Sequence, residues 1–231
     1  MKSLALLALS ATAVSTSAQA GFVGFVANTR SISGYTVIDV FAAVSNANDK
    51  FLNVYNSSIS TTVAGGFYQA SGLSNKSWKP DASNFNSTMD TLDSFMTAGC
   101  YSGASYAGSF YASGNTTGDP NFTGTSWNTT PLAAAANTVP ALAGWYTGDP
   151  TSVDQKAILL STMGVTNRSN SSYTITGGGA GSGTSNSATY GIWCAHLVVS
   201  GSATLGTNVF FQASSSIKDY VTGNANQGSS G

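Results

Sequence analysis

The chain's only imidazole and one of its two thiols lie two residues apart, as Cys194 and His196. On a strand, side-chain alternation would place both on one face with Val198, where a thiolate and a general base could form a nucleophilic pair. The alternative is a single histidine on a strand, satisfied by a neighbour or by solvent. We favour this alternative, because the nucleophilic pair conflicts with a disulfide that uses the same cysteine.

Carboxylates are the other candidates for chemistry, and all nine acidic residues are Asp. Six of them form two groups along the chain: Asp81, Asp90 and Asp93, then Asp119, Asp149 and Asp154. Paired carboxylates could hydrolyse a glycosidic bond, or oxygen ligands could bind Ca²⁺. Turn formation and capping are the favoured roles, because Asp is typical of turns and no D-x-D-x-D-G loop occurs. We therefore expect no catalytic residue, no resident metal and no cofactor, with Ca²⁺ as the alternative.

Asp39 differs from the other acids because it lies between Ile38 and Val40 in a run nearly free of charge. A carboxylate in such a strand must face water or be paired. Arg30 is the candidate partner, and the expected role is structural.

Aromatic residues beside amides and carboxylates indicate a second class of site, for sugars. Ring faces stack on the apolar C–H faces of a sugar, and Asn or Asp side chains bind its hydroxyl groups. The candidate ligand-binding residues are Trp127, Trp145, Asp119 and Asp149. Core packing is the favoured alternative for the two tryptophans, because an indole buries a large apolar area.

The charge composition excludes one class of partner. Of the 231 residues, eight are Lys or Arg, nine are acidic, and charged residues make up 7%. A nucleic-acid binder needs a basic patch to displace counterions from phosphates. So few basic residues predict no such patch, and nucleic acids are excluded as partners.

The two ends of the chain indicate an exported protein. Met1-Lys2 precedes an apolar run over residues 4–14, and residues 18–20 read Ala-Gln-Ala, so residues 1–20 are predicted to be a signal peptide. The apolar run is too short for a membrane span. An oxidising compartment would then permit a disulfide between Cys100 and Cys194, closing a loop of about 95 residues. Residues 219–231 are polar and predicted to be disordered.

Short β-branched or aromatic runs between Gly, Asn, Ser and Asp clusters predict strands. The predicted strands are Phe22–Ala27, Tyr35–Val44, Phe51–Ile59, Gly66–Gln69, Leu92–Ala98, Tyr106–Tyr111, Ala141–Tyr146, Ile158–Val165, Ser172–Thr176, Thr189–Ser200 and Asn208–Ala213. Helix signals are weak and short, at Thr88–Met96 and Pro131–Asn137, and Val153–Ser161 is ambiguous between helix and strand. We expect one all-β domain over residues 21–218: an antiparallel β-sandwich, jelly-roll-like, with one or two short helices. A β-solenoid is the alternative, but no fixed repeat of about 20–25 residues supports it.

Several short motifs recur in a familiar order along the mature chain. They include GYTVIDVF at 34–41, FLNVY at 51–55, LDSFMTAG at 92–99, GWY at 144–146 and LVVSG at 197–201. In these motifs the chain resembles a family of uncharacterised secreted bacterial proteins, some of which end in a sorting tail that is not seen here. The resemblance implies a secreted β-rich domain and implies no catalytic residues.

These observations predict a secreted, non-enzymatic β-sandwich protein with a structural or adhesive role in an envelope or matrix. The expected partner is an extracellular glycan or a second copy of the chain, with no nucleic acid and no membrane span. The alternatives are a carbohydrate-binding module, with or without Ca²⁺, and an Asp-dependent glycoside hydrolase.

Overall fold

The computed structural model describes residues 22–44, 46–70, 78–80, 87–102, 110–122, 127, 135–136, 139–149, 157–163, 190–219 and 225–228. These residues form antiparallel sheets. The fold is therefore all-β, as the alternating sequence pattern predicts. The predicted signal peptide and the strand at Ser172–Thr176 lie outside the described residues.

Within the described ranges, fourteen strands make up three sheets. The seven-stranded sheet contains β1 (Phe22–Ile32), β2 (Tyr35–Val44), β4 (Phe67–Tyr68), β5 (Phe95–Met96), β9 (Ala135–Ala136), β11 (Ile158–Leu159) and β12 (Tyr190–Ser200). The five-stranded sheet runs in the order β14 (Ala225–Gly228), β13 (Val209–Asp219), β3 (Asp49–Thr61), β10 (Trp145–Thr147) and β8 (Thr116–Gly118). A two-stranded sheet pairs β6 (Cys100–Ser102) with β7 (Phe110–Ala112).

The β1–β2 hairpin follows from its two-residue turn. Ser33 and Gly34 have φ angles of 49° and 83°, and Ile32 pairs with Tyr35 across the turn. Positive φ at both central residues matches the twist of the flanking strands, and glycine adopts it without steric cost. β2 then pairs on its other side with β12, about 150 residues later.

β2 and β12 are buried almost from end to end. A large core cluster takes residues from both large sheets, among them Val40 and Ile192 of the seven-stranded sheet and Phe51 and Phe211 of the five-stranded sheet. A second cluster, which includes Phe41 and Trp193, contains the intervening residues of β2 and β12. The central strands are thus covered on both faces, which explains their nearly continuous apolar sequence. The jelly-roll connectivity stays a prediction.

The short helix predicted over Thr88–Met96 is wrong. Thr88 forms an isolated bridge, and Phe95–Met96 is the strand β5, which pairs with β12. The Oγ1 atoms of Thr88 and Thr91 accept backbone N–H groups locally, at 3.3 and 2.8 Å, and this competes with a helix.

Two further predictions of local structure are corrected. Ala135–Ala136, inside the predicted helix Pro131–Asn137, form β9 and pair with β4. Ala225–Gly228, inside the tail predicted to be disordered, form β14 and pair with the end of β13. The partner of β9 lies about 70 residues earlier in the chain, which the local sequence does not reveal, whereas β14 pairs with the strand that immediately precedes it.

The short helices of the described chain are two 3₁₀ helices, Pro120–Phe122 and Leu160–Met163. No helix in this part of the molecule has both the length and the apolar character needed to cross a membrane.

Candidate functional site

The buried ionic cluster of the protein consists of Arg30, Asp39 and His196. They lie on the neighbouring strands β1, β2 and β12, and His196 pairs in register with Asp39. Arg30 Nη1 donates a hydrogen bond to Asp39 Oδ2, and His196 Nδ1 lies 2.6 Å from Asp39 Oδ1. The side chains of Asp39 and His196 are fully buried, and that of Arg30 is 24% exposed. The predicted pairing of Asp39 with Arg30 is confirmed.

Both ring nitrogens of His196 are already engaged within the protein. Nε2 donates to the carbonyl oxygen of Thr91 at 2.7 Å, and Nδ1 faces Asp39. The imidazole stacks on Phe95, with centroids 4.7 Å apart, and meets the edge of Trp193 at 5.7 Å. A general base needs a nitrogen within reach of a substrate proton. In this arrangement the ring acts as a structural link between strands.

The predicted shared face of Cys194 and His196 is wrong. The pairing of β12 with β2 shifts between Trp193 and Ala195, which marks a β-bulge around Cys194. Cys194 and Ala195 therefore both belong to the large core cluster, whereas His196 contacts Trp193 on the other face. The Cys194 thiol donates to the carbonyl of Val40 at 3.2 Å.

The predicted disulfide is also wrong, because Cys100 and Cys194 are not bonded to each other. Cys194 lies in the large core cluster, and Cys100 lies in the second cluster with Trp193. Burial raises the pKa of the Cys194 thiol well above its usual range, so the neutral thiol is the stable form. Both sulfur atoms behave as small buried apolar groups.

Among the predicted acidic groups, Asp93 links two distant segments and Asp119 holds a turn. Asp93 is 1% exposed, and its Oδ1 accepts the Ala70 N–H at 2.8 Å, just after β4. Asp119 Oδ1 accepts the N–H groups of Asn121 and Phe122 at 2.9 and 3.3 Å. The two Asp119 bonds are those of helix-capping and turn-forming aspartates.

The remaining predicted acids are placed differently. Asp90 has an 83% exposed side chain, 3.6 Å from Arg30 Nε. The Asp149 N–H donates to the hydroxyl of Thr147, at the end of β10. Asp81 and Asp154 lie outside the described residues. Within the described part of the chain, no three Asp, Cys or His side chains cluster as metal ligands, and the Ca²⁺ alternative stays a prediction.

The two candidate sugar-binding tryptophans lie together, but in the core. Trp145 is fully buried and Trp127 is 8% exposed. The Phe122 ring contacts both, with centroid distances of 5.0 Å to Trp127 and 6.2 Å to Trp145. Trp145 Nε1 donates to the carbonyl of Thr97 at 3.2 Å. This placement favours core packing over ligand stacking.

The ring that faces outward on β10 is Tyr146, which the sequence argument missed. Its side chain is 42% exposed, between buried Trp145 and Thr147. Tyr146 pairs with Asn53 of β3 and Thr117 of β8. The alternation of burial on β10 is the signal that separates Trp145 from Tyr146, and it requires the strand boundaries to be known.

Tyr146 belongs to a surface that we call the outer face, on the side of the five-stranded sheet away from the core. By register and burial, the outer face contains Asn53, Tyr55, Ser58, Ser60, Thr117, Tyr146, Phe210 and Gln212. All of these side chains are uncharged, and most carry a hydroxyl or amide group. Asp119 lies at one margin of the outer face, and Lys50 lies near the start of β3.

Gly144, just before β10, packs closely against β3 beside Tyr55. A Cβ atom at Gly144 would lie 2.6 Å from the carbonyl oxygen of Val54, 2.9 Å from Asp119 Oδ2 and 3.2 Å from the Tyr55 Cα atom. Glycine is therefore required at this position, and it leaves Asp119 Oδ2 close to the strand surface. Tyr146 pairs with Asn53, and Tyr55 lies two residues further along β3. The two tyrosines are therefore diagonal neighbours on the sheet, about 7–8 Å apart.

Comparison of the chain with protein-family models, with curated proteins and with solved structures finds no match. The resemblance to secreted bacterial proteins therefore stays a prediction, and the candidate site stands on its geometry.

Proposed function

We propose that this protein is exported and acts outside the cell as a non-enzymatic structural or adhesive component of an envelope or matrix. One observation carries the proposal: the side chains that could do chemistry are hydrogen-bonded to other groups of the protein or buried in its core. The single imidazole is held by Asp39 and Thr91, and the Cys194 thiol is buried and neutral. Asp93 accepts a hydrogen bond from the Ala70 backbone, and Asp119 holds a turn.

The chemistry of the surface supports an adhesive role over an Asp-dependent hydrolase. Cleavage of a glycosidic bond needs two carboxyl groups that flank the bond, one as acid and one as base or nucleophile. Asp39 and Asp93 are buried and hydrogen-bonded, so neither can approach a substrate. The outer face instead offers hydroxyl, amide and phenol groups that can both donate and accept hydrogen bonds.

Export is supported by the sequence of residues 1–20, with Gly21 as the expected first residue of the mature chain. Mass spectrometry of the protein recovered from the culture medium or the cell envelope will locate the mature N-terminus. A protein that keeps residues 1–20 and stays inside the cell would contradict the proposal.

The adhesive role is tested by co-sedimentation of the purified mature chain with cell envelopes, beside sedimentation velocity of the protein alone. We expect the protein to pellet with envelopes or to self-associate at high concentration. A compact monomer that stays in the supernatant under both conditions would refute the adhesive role.

A further inference from the structure

We infer that the outer face is a binding platform for a neutral polysaccharide, with Tyr146 as its central stacking ring. This inference rests on the proposed function, because it names the chemical class of the adhesive partner. It moves the site from the buried Trp127 and Trp145 to Tyr146, which faces outward on the same strand as Trp145, and to Tyr55 on β3.

The exposed ring is the first argument. Tyr146 is 42% exposed, although its neighbours in the strand are buried. Tyr55 lies diagonally from it on β3, and its side chain is half-buried. Two rings on the same face of a sheet can stack on successive apolar sugar faces along one chain.

The polar groups beside the rings are the second argument. Asn53 pairs with Tyr146, and its side chain is half-buried. Ser58 and Gln212 pair across β3 and β13, and both are exposed. Sugar hydroxyl groups donate and accept, so they match amides and hydroxyls that do the same.

The eight side chains of the outer face are uncharged, and charged residues such as Asp119 and Lys50 lie only at its margins. A polyanion would require Lys or Arg side chains along its path between the two tyrosines. A neutral polysaccharide requires no counter-charge. Its binding should therefore be insensitive to salt.

A protein partner fits this surface less well. Stable interfaces bury about 800 Å² per partner around an apolar core. The large apolar side chains that are exposed in the described residues are Leu142, Tyr146 and Leu159, and only Tyr146 belongs to the outer face. Such a face lacks the apolar core of a protein interface.

The test is retention of the full mature chain on insoluble cellulose, chitin and mannan, with heparin and alginate as anionic comparisons. The variants are Tyr146→Ala, which removes the ring, and Tyr146→Phe, which keeps it. Leu159→Ala is the matched control, because Leu159 is also 42% exposed but lies in the seven-stranded sheet. All measurements are made at low and at high salt.

We expect at least one neutral polymer to retain the protein equally at both salt concentrations. Tyr146→Ala should weaken retention about tenfold, the loss expected from one ring contact. Tyr146→Phe and Leu159→Ala should bind like the unaltered chain.

Three results would overturn the inference: no retention on any neutral polymer, tighter and salt-sensitive retention on heparin or alginate, or equal binding by Tyr146→Ala. A change in self-association of Tyr146→Ala without a change in retention would overturn it too, in favour of a second copy of the chain. The envelope assay separates the two proposals. Envelope binding that Tyr146→Ala leaves intact would refute only the platform, whereas a monomer without affinity for envelopes or polymers would refute both.

Discussion

Substitution of Asp39 by Asn will test the role of the buried ionic cluster most directly. Asp39 is fully buried and bonds to both Arg30 and His196. Breaking a buried ion pair by removing one partner costs about 3–5 kcal/mol, because the other charge is left uncompensated. Asp39→Asn preserves the shape of the side chain, so we expect a loss of about 3–5 kcal/mol in the free energy of unfolding.

The structure also predicts the order of the effects. Arg30→Gln should cost less, about 1–2 kcal/mol, because Asp39 keeps its hydrogen bond to His196, whereas Asp39→Asn changes the contacts with both partners. Asp90→Asn is the control. Its side chain is 83% exposed and 3.6 Å from Arg30, so it should change stability by less than about 0.5 kcal/mol.

Urea unfolding, followed by the fluorescence of the buried tryptophans, measures all three variants. The double variant Asp39→Asn, Arg30→Gln completes a double-mutant cycle, and a coupling energy of about 0.5–3 kcal/mol is expected for residues in contact. The reasoning would be refuted if Asp39→Asn were no more destabilising than Asp90→Asn, or if the cycle showed no coupling.

The remaining predictions concern the thiols, one glycine and one phenol. Cys100 and Cys194 should resist iodoacetamide in the native protein, because both are buried. Both should react after unfolding without reductant, because they do not form a disulfide with each other. A mass two hydrogens lower, with no alkylation after unfolding, would show a disulfide instead. Gly144→Ala should destabilise the protein by about 1–3 kcal/mol in urea unfolding, because its Cβ would lie 2.6 Å from the Val54 carbonyl oxygen; an unchanged midpoint would contradict this. Burial and a neighbouring phenol raise the pKa of Tyr68. The Tyr68 phenol therefore stays protonated to a higher pH in the folded state than in the unfolded state. The stability that this proton contributes is fully present below about pH 10 and is lost as the pH rises through the folded-state pKa. Tyr68→Phe should make alkaline unfolding less steep, and an identical pH profile would count against this reasoning.

Local sequence was sufficient where a strand's own pattern decided its structure. The predicted strand Tyr35–Val44 has the same bounds in the structure, and Thr189–Ser200 differs by one residue. The pairing of Asp39 with Arg30 was also predictable, because a charge in an apolar strand needs a partner. His196 as a second partner was not predictable, since β12 joins β2 from about 150 residues away.

For the candidate site, the sequence indicated the region around β8 and β10 but named Trp127 and Trp145, whose rings are buried, and did not name the exposed Tyr146. Trp145 and Tyr146 are adjacent, and only the pairing of β10 with β3 and β8 decides which one faces the core. A shift of one residue exchanges the two faces of a strand, so composition alone cannot assign them.

The sequence by itself determined that this protein is rich in β structure, nearly uncharged, and supplied with hydroxyl, amide and aromatic groups. Only the tertiary structure decided which of those groups reach the surface. The bulge at Cys194 separates it from His196, and the two clusters separate it from Cys100. The physical reason is that side-chain alternation is a local property, whereas bulges and strand register depend on partners far away in the chain.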